Sequence, residues 1–219
     1  MTPEAFYASP LQQPLAVGLA SLVGAAYALS ARAGLASLGP AGPRWAVCFA
    51  LAIVADAALT APSSPLTGAA ATAASFIFVT LGDFRAYWVL KKAQDDTRPA
   101  APWALGLALA PSLLVALGKV VAPAFFSVAR QLYLFYELAS LGLLLALGVG
   151  LSARGLAHPR LFRGALALAL GHYALWALSD VLILSGVSMG YLLRMLPNLL
   201  YYGAFVPAAV YLGAPREAR

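Results

Sequence analysis

Residues 128–152 read VARQLYLFYELASLGLLLALGVGLS, and this stretch decides the fold. It is longer than the roughly 20 residues that an α-helix needs to cross about 30 Å of hydrocarbon. Its apolar residues run continuously instead of alternating, which favours a helix over a strand of a membrane barrel. It nevertheless contains Arg130 and Glu137, which are costly in contact with lipid. The stretch therefore predicts a transmembrane helix whose charged side chains face other parts of the protein.

Similar apolar runs fill the whole chain of 219 residues. Hydrophobic residues make up 62% of it and charged residues only 10%, whereas a soluble domain carries about 25% charged residues. Breaks rich in Pro, Gly and charge separate the runs. We predict an all-α polytopic transmembrane bundle that forms a single integral membrane domain, 1–219. Its seven spans lie near 14–31, 45–62, 67–90, 102–121, 128–152, 163–185 and 190–212.

The basic residues predict the orientation of these spans. Ten of the 14 lysines and arginines fall in the first, third and fifth loops and the C-terminal tail. The N-terminal segment and the second and sixth loops carry none. This alternation predicts an outside N-terminus, a cytoplasmic C-terminus and a multi-pass protein of a bacterial inner membrane. Because the net charge of +6 resides in short loops beside spans, we expect membrane lipid, and no nucleic acid, as a partner.

Four of the eight acidic residues lie inside predicted spans: Asp56, Asp83, Glu137 and Asp180. At 1.5 Å of rise per residue, Asp56 and Asp180 lie about 9 Å below the outer boundary. Glu137 and Asn198 lie about 12 Å below it. Lys119, Arg130 and Arg194 fall nearer the same surface. The shared depth predicts that these groups meet around one cavity in the outer leaflet, with Lys119 the weakest member.

Helical spacing predicts that three spans turn polar stripes inward, because residues three or four apart share a helix face. Each stripe combines charged residues with aromatic ones. The stripes are Arg130, Tyr133 and Glu137; His172, Trp176 and Asp180; and Tyr191, Arg194, Asn198 and Tyr201, which Tyr202 extends.

The polar residues inside the spans also have purely structural explanations. Buried polar residues can simply join neighbouring helices, at about 0.6 kcal/mol each, and an Asp180–Arg194 pair would be such a staple. Asp83 and Arg85 lie near the predicted cytoplasmic end of their span, where snorkelling to the interface explains them. His172 is expected to be a hydrogen-bonded interior residue. The segment with Lys91, Lys92, Asp95 and Asp96 is expected to be a solvated loop.

Several chemistries have no residues to support them. The chain has no Gly-rich phosphate loop and no Cys or His set with metal-ligand spacing, so we expect neither a metal nor another cofactor. Its two histidines and single cysteine leave little room for a nucleophilic triad. Paired carboxylates remain, since one can donate a proton while the other activates water.

The same positions resemble the YhhN family of membrane proteins, which includes the lysoplasmalogenases. The family has Gly-Asp in an early helix, Ser-Asp in a later helix and Tyr-Tyr in the final helix. The corresponding segments here are VCFALAIVADAALTAP, ALWALSDVLILSG and LPNLLYYGAFVPAAVYLG, and the QPL at 13–15 resembles a family KPL. The chain departs from the family at Ala55, at Gly82-Asp83 where an Ala-His motif is expected, and at Phe205 in place of glutamine. It also has seven predicted spans instead of eight.

The resemblance implies a hydrolase that acts on the vinyl ether of a lysolipid. It makes Asp56 and Asp180 the catalytic pair, one protonating the alkenyl carbon while the other directs water. Substrate would be bound by the remaining polar residues of the predicted cavity: Glu137, Arg130, Arg194, Asn198, Tyr201 and Tyr202.

Two non-enzymatic alternatives stay open. The chain could be a membrane regulator whose basic cytoplasmic loops, with Arg98 and Arg160, hold a protein such as a transcription factor, in the manner of an anti-sigma protein. The missing family histidine and glutamine favour this alternative. A small transporter could use the intramembrane acids to carry protons, although no internal repeat is visible.

Overall fold

The computed structural model describes residues 1–61, 64–94, 99–152 and 155–215. These residues are almost entirely helical, and extended pairing among them is limited to one isolated bridge between Gln94 and Leu156. The ten α-helices are α1 Pro3–Tyr7, α2 Val17–Ser30, α3 Ala41–Leu59, α4 Gly68–Lys92, α5 Ala100–Val121, α6 Ala129–Ser152, α7 Pro159–Leu184, α8 Met189–Leu193, α9 Met195–Leu199 and α10 Phe205–Gly213.

Six segments of the described chain are long and apolar enough to cross a membrane. Five are the helices α3 to α7, and the sixth is the last segment, Met189–Gly213. Helix α2 forms a seventh candidate together with the 3-10 helix Arg32–Leu38, to which it is bent by 60°. The prediction of an all-helical fold is confirmed for the described residues, and the number of long apolar helices is that of a multi-pass membrane protein.

The last segment is interrupted although it forms one predicted span. Helices α8 and α9 break at Arg194, and the π-helix Leu200–Ala204 separates α9 from α10. Irregular backbone at membrane depth is tolerated where protein covers it, and π-helical turns recur at functional sites. The interruption therefore marks this segment, here called the last span, as the part of the bundle to inspect for function.

The two ends of the bundle differ in their connections. Helix α1 packs against α8 at the end that also carries the α3–α4, α5–α6 and α7–α8 connections; we call this the N-terminal face. The last residues of α4 and α6 and the first residues of α5 and α7 lie at the other end, the C-terminal face. There the His158 amide donates to the Ala93 carbonyl at 2.9 Å, beside the Gln94–Leu156 bridge.

Two loop expectations need correction. Residues 32–38, expected in a loop, form a 3-10 helix that buries Leu35 and Leu38. Lys91 belongs to α4 and is buried, with its Nζ 5.4 Å from the ring centre of Trp103. The aromatic ring and the long alkyl stem explain why this lysine is not a solvated loop residue. Several predicted loop or tail residues lie outside the described part of the chain: Asp95, Asp96, Arg98, Arg154, Arg216 and Arg219.

Helix α2 and the last span cross at glycines. A Cβ atom at Gly24 would lie 2.6 Å from the Gly203 carbonyl oxygen, whereas one at Gly18 would meet nothing within 4 Å. Small residues let two membrane helices approach until their backbones touch. The close packing of α2 against the π-helical turn therefore requires glycine at Gly24 and does not require it at Gly18 on the same helix.

This difference predicts the effect of one methyl group. Gly24→Ala should lower the free energy of unfolding by about 1–3 kcal/mol, because two backbones must separate. Gly18→Ala should leave it unchanged or raise it, because alanine favours helix over glycine. Thermal unfolding of both variants in the same detergent measures the difference. Equal unfolding temperatures would show that the close crossing does not stabilise the bundle.

Candidate functional site

Two arginines and two acids meet near the N-terminal face, in what we call the Arg194 cluster: Arg130 and Glu137 of α6, Asp180 of α7, and Arg194 of the last span. Arg194 Nη1 lies 3.3 Å from Glu137 Oε1 and also contacts Asp180 Oδ1. Arg130 Nη1 lies 3.2 Å from the same Asp180 oxygen. One guanidinium nitrogen thus joins two carboxylates from different helices.

The acids of this cluster are more deeply buried than its arginines. The side chains of Asp180 and Glu137 are 0% and 3% exposed, against 24% for Arg130. One oxygen of each acid, Asp180 Oδ2 and Glu137 Oε2, has no hydrogen-bond partner among the described residues. Buried oxygens of this kind are normally satisfied. The two free oxygens are therefore available to a proton, a water molecule or a ligand.

Aromatic rings surround the two arginines. Arg194 Cζ lies 6.0 Å from the ring centre of Trp176 and 5.9 Å from that of Tyr133. Arg130 Cζ lies between Tyr133 at 6.0 Å and Tyr191 at 5.8 Å. A guanidinium gains energy over a ring face when it is desolvated. Because Tyr133 is 53% exposed, Arg130 and Tyr133 mark the mouth of the cluster.

Trp176 connects the Arg194 cluster to the interior. Its Nε1 donates to Asn198 Oδ1 at 2.9 Å, and its ring lies 5.0 Å from that of His172 and 5.6 Å from that of Tyr201. His172 is buried, and its Nδ1 lies 3.3 Å from the Leu168 carbonyl oxygen. The expectation that His172 is an interior residue is confirmed.

Asp56 lies in a second cluster, between α3, α4 and the last span. Its Oδ1 accepts hydrogen bonds from Thr60 at 3.1 Å and Tyr202 at 3.2 Å. Together with Arg85 and Tyr201 it lines a small pocket with a free volume of about 10 Å³. A cavity needs about 10–15 Å³ to hold one water molecule. This pocket is therefore about the size of a single water molecule and is too small for a lipid.

Asp83 forms a third buried group. Both of its carboxylate oxygens accept hydrogen bonds, one from Tyr136 of α6 and one from Tyr173 of α7. Arg85, one of the most deeply buried side chains, donates to the Tyr201 carbonyl oxygen at 2.7 Å and stacks 4.1 Å from the Tyr201 ring centre. The interfacial explanation of Asp83 and Arg85 is thus wrong, because partners on other spans hold both side chains inside the bundle.

The structure divides the residues that were expected around one cavity. The Arg194 cluster contains four of them: Arg130, Glu137, Asp180 and Arg194. Asn198 lies beside this cluster and accepts a hydrogen bond from Trp176. Asp56, Tyr201 and Tyr202 lie at the Asp56 pocket, and Lys119 is exposed. Among the described residues, Asp56 and Asp180 share no hydrogen-bond or ion-pair partner. Helix packing explains the division, because α6 packs on α7 whereas α3 packs on α2 and α4.

Sequence reasoning missed three contributors to these clusters. Tyr136 and Tyr173 were not singled out, although each directly adjoins a residue that was, Glu137 or His172. Tyr7 of α1 accepts a 3.4 Å hydrogen bond from Asn198. A five-residue helix before the first span carries no periodicity that could have revealed this contact.

Comparisons of the chain with models of protein families, with curated proteins and with solved structures find no match.

The two arginines of the cluster are predicted to differ in importance. Arg194→Gln leaves two buried carboxylates without their shared cation, so the free energy of unfolding should fall by about 3–5 kcal/mol. Arg130→Gln should cost less, because Asp180 keeps Arg194. Chemical unfolding in detergent measures both effects.

A triple variant provides the control. Adding Glu137→Gln and Asp180→Asn to Arg194→Gln should restore part of the lost stability, since both buried acids are then neutral and Arg130, whose side chain is 24% exposed, can reach water. Equal losses for the two arginine variants, with no recovery in the triple variant, would contradict the shared-cation arrangement.

Proposed function

We propose that the chain is a membrane-embedded hydrolase that acts on a lysolipid, with Glu137 and Asp180 as its acid–base pair. The single observation that carries this proposal is that both acids contact one nitrogen of Arg194 while each keeps one buried oxygen free of protein partners. Two carboxyl groups held a few ångströms apart in unequal surroundings can take opposite roles in proton transfer.

The ion pairs support different roles for the two acids. Asp180 forms ion pairs with both guanidinium groups and Glu137 with one, so we propose that Asp180 is the carboxylate and that Glu137 carries the proton. In this state the four residues have a net charge of +1. Arg130, at the mouth, uses one of its five N–H donors on Asp180 and has others for an anionic headgroup.

The resemblance to the lysoplasmalogenases points to a vinyl ether as the bond that is cleaved. Glu137 would donate its proton to the alkenyl carbon that is not bonded to oxygen. This leaves a cation on the other alkenyl carbon, which is bonded to the ether oxygen. Asp180 would take a proton from the water that attacks this cation. As the original C–O bond of the resulting hemiacetal breaks, Asp180 passes its proton to the departing lipid oxygen and Glu137 takes the proton of the hemiacetal hydroxyl. This restores both acids and gives an aldehyde and the free alcohol of the lipid, with one water consumed.

The carboxylate pair proposed here differs from the pair that the resemblance implies. Asp56 would then only line the Asp56 pocket and would not contact the reacting atoms. Substitution of each acid distinguishes the two pairs.

Release of long-chain aldehyde by purified protein tests the proposal, with a lysolipid vinyl ether as substrate. Glu137→Gln and Asp180→Asn should each lower the rate at least about 100-fold, since acid–base groups contribute about 10²- to 10⁴-fold. Asp56→Asn should lower it much less. Ser185→Ala, near the end of α7 and exposed, is the matched control and should keep the wild-type rate.

Three outcomes are informative. An equal loss in Asp56→Asn and Asp180→Asn, with Glu137→Gln active, would replace our pair by the one that the resemblance implies. Unchanged hydrolysis in folded Asp180→Asn would refute both pairs. Wild-type protein that releases no aldehyde would refute the hydrolase.

We further propose that the N-terminal face lies outside the cytoplasmic membrane, because the described basic residues Lys92, Arg160 and Arg163 lie at the C-terminal face. Cysteines placed in Cys48→Ser protein at the exposed positions Ala8 and Ala157 probe the two faces. A membrane-impermeant maleimide added to spheroplasts should label Ala8→Cys and leave Ala157→Cys unlabelled until lysis. The reverse pattern would invert the orientation.

A further inference from the structure

Helix α1 lies outside the spans and packs against α8. Thr2 caps its N-terminus, where the Thr2 Oγ1 accepts a hydrogen bond from the Ala5 amide at 3.2 Å, and the helix contains no buried residue. A helix of five residues is not stable by itself in water. Its position therefore depends on the few contacts that its side chains make with the bundle.

Two hydrogen bonds, which we call the latch, connect α1 to the last span. The Tyr191 hydroxyl donates to Glu4 Oε1 at 3.1 Å, and Asn198 Nδ2 donates to the Tyr7 hydroxyl at 3.4 Å. The rings of Tyr7 and Tyr191 also lie 6.0 Å apart. Glu4 is exposed, so the first of these bonds competes with water and is weak.

The bundle side of the latch is also the wall of the Arg194 cluster. The ring of Tyr191 lies against Arg130 at 5.8 Å. Asn198 accepts from Trp176, whose ring lies 6.0 Å from Arg194. Helix α1 thus covers the side of the cluster that Tyr191 and Asn198 form. Its removal would uncover these residues without breaking any of the ion pairs beneath them.

The weak latch and the strong cluster differ in how easily they open. Breaking the latch removes one exposed and one part-buried hydrogen bond and withdraws the Tyr7 hydroxyl from Arg194, whereas opening the cluster itself would separate buried charges. Elements with few buried contacts open locally while the rest of a protein stays folded. We propose that α1 is a lid that opens and closes access to the Arg194 cluster from the N-terminal face.

The purpose of the lid rests on the proposed function, since it would admit the lipid headgroup and then exclude bulk water from Glu137 and Asp180. Its motion does not rest on that function. The experiment therefore reads the accessibility of Arg194 directly and needs no substrate.

Phenylglyoxal, which modifies accessible arginines, reports this accessibility when the modified peptides are quantified by mass spectrometry. Tyr191→Phe removes the hydroxyl that donates to Glu4 and keeps the ring. It should raise the rate of modification at Arg194 about twofold, the factor that loss of a hydrogen bond at the weak end of the usual range gives to an opening equilibrium. Arg160 is exposed at the C-terminal face and should react at one rate in all variants. Tyr27→Phe, an exposed tyrosine on α2, is the matched control and should change neither rate.

A cross-linked variant tests the closed state. In Cys48→Ser protein, Glu4→Cys and Tyr191→Cys remove the latch, and a short bis-maleimide then ties α1 to α8. The unlinked protein should show fast modification of Arg194, and the linked protein should lose it.

Equal modification of Arg194 in the wild-type, Tyr191→Phe, unlinked and linked proteins would overturn the lid. Latch-dependent modification in a protein that releases no aldehyde would support the lid and refute the hydrolase. Aldehyde release by the linked protein at the unlinked rate would overturn the lid and leave the hydrolase standing.

Discussion

One guanidinium nitrogen that serves two buried carboxylates is the interaction on which the rest of the structure depends. A charge at the centre of a lone span costs roughly 2.5–3.5 kcal/mol, and Glu137, Asp180 and Arg194 come from three different segments. Arg194 contacts both acids, so each segment becomes tolerable in the membrane only beside the other two. The contact also fixes how far α6, α7 and the last span are shifted along one another. Polar groups three or four residues away on these helices are then placed where they need partners of their own.

The interrupted last span is the structural consequence. The break at Arg194 and the π-helical turn at Leu200–Ala204 let one segment serve two clusters. Arg194 and Asn198 lie at the Arg194 cluster, whereas Tyr201 and Tyr202 reach Arg85 and Asp56. The missing side chain of Gly82 leaves room for Tyr201, since a Cβ atom at Gly82 would overlap the Tyr201 hydroxyl oxygen. A regular helix would distribute these side chains differently, which is why the irregular backbone and the polar clusters occur together.

Hydropathy and helical spacing predicted the features that are encoded within one span, namely its position in the chain and its inward face. The spans were placed within a few residues of α3 to α7, and the spacing of Arg130 with Glu137 indicated their shared inward face. Contacts between spans were less predictable. Depth alone placed Asp56 beside Asp180, but depth does not specify which helices are neighbours, and α3 and α7 carry these residues into different clusters. Asp83 was assigned to the interface because it lies near the end of its predicted span. Its tyrosine partners come from α6 and α7, and nothing in its own span reveals them.

The most direct test of this account is solid-state NMR of the isotope-labelled protein in bilayers, which detects which carboxyl carbons lie close to the Arg194 guanidinium nitrogens. The account predicts through-space correlations to both Glu137 and Asp180, and loss of both in Arg194→Gln. Correlation to Asp56, or to only one of the two acids, would contradict the shared guanidinium and the proposed acid–base pair.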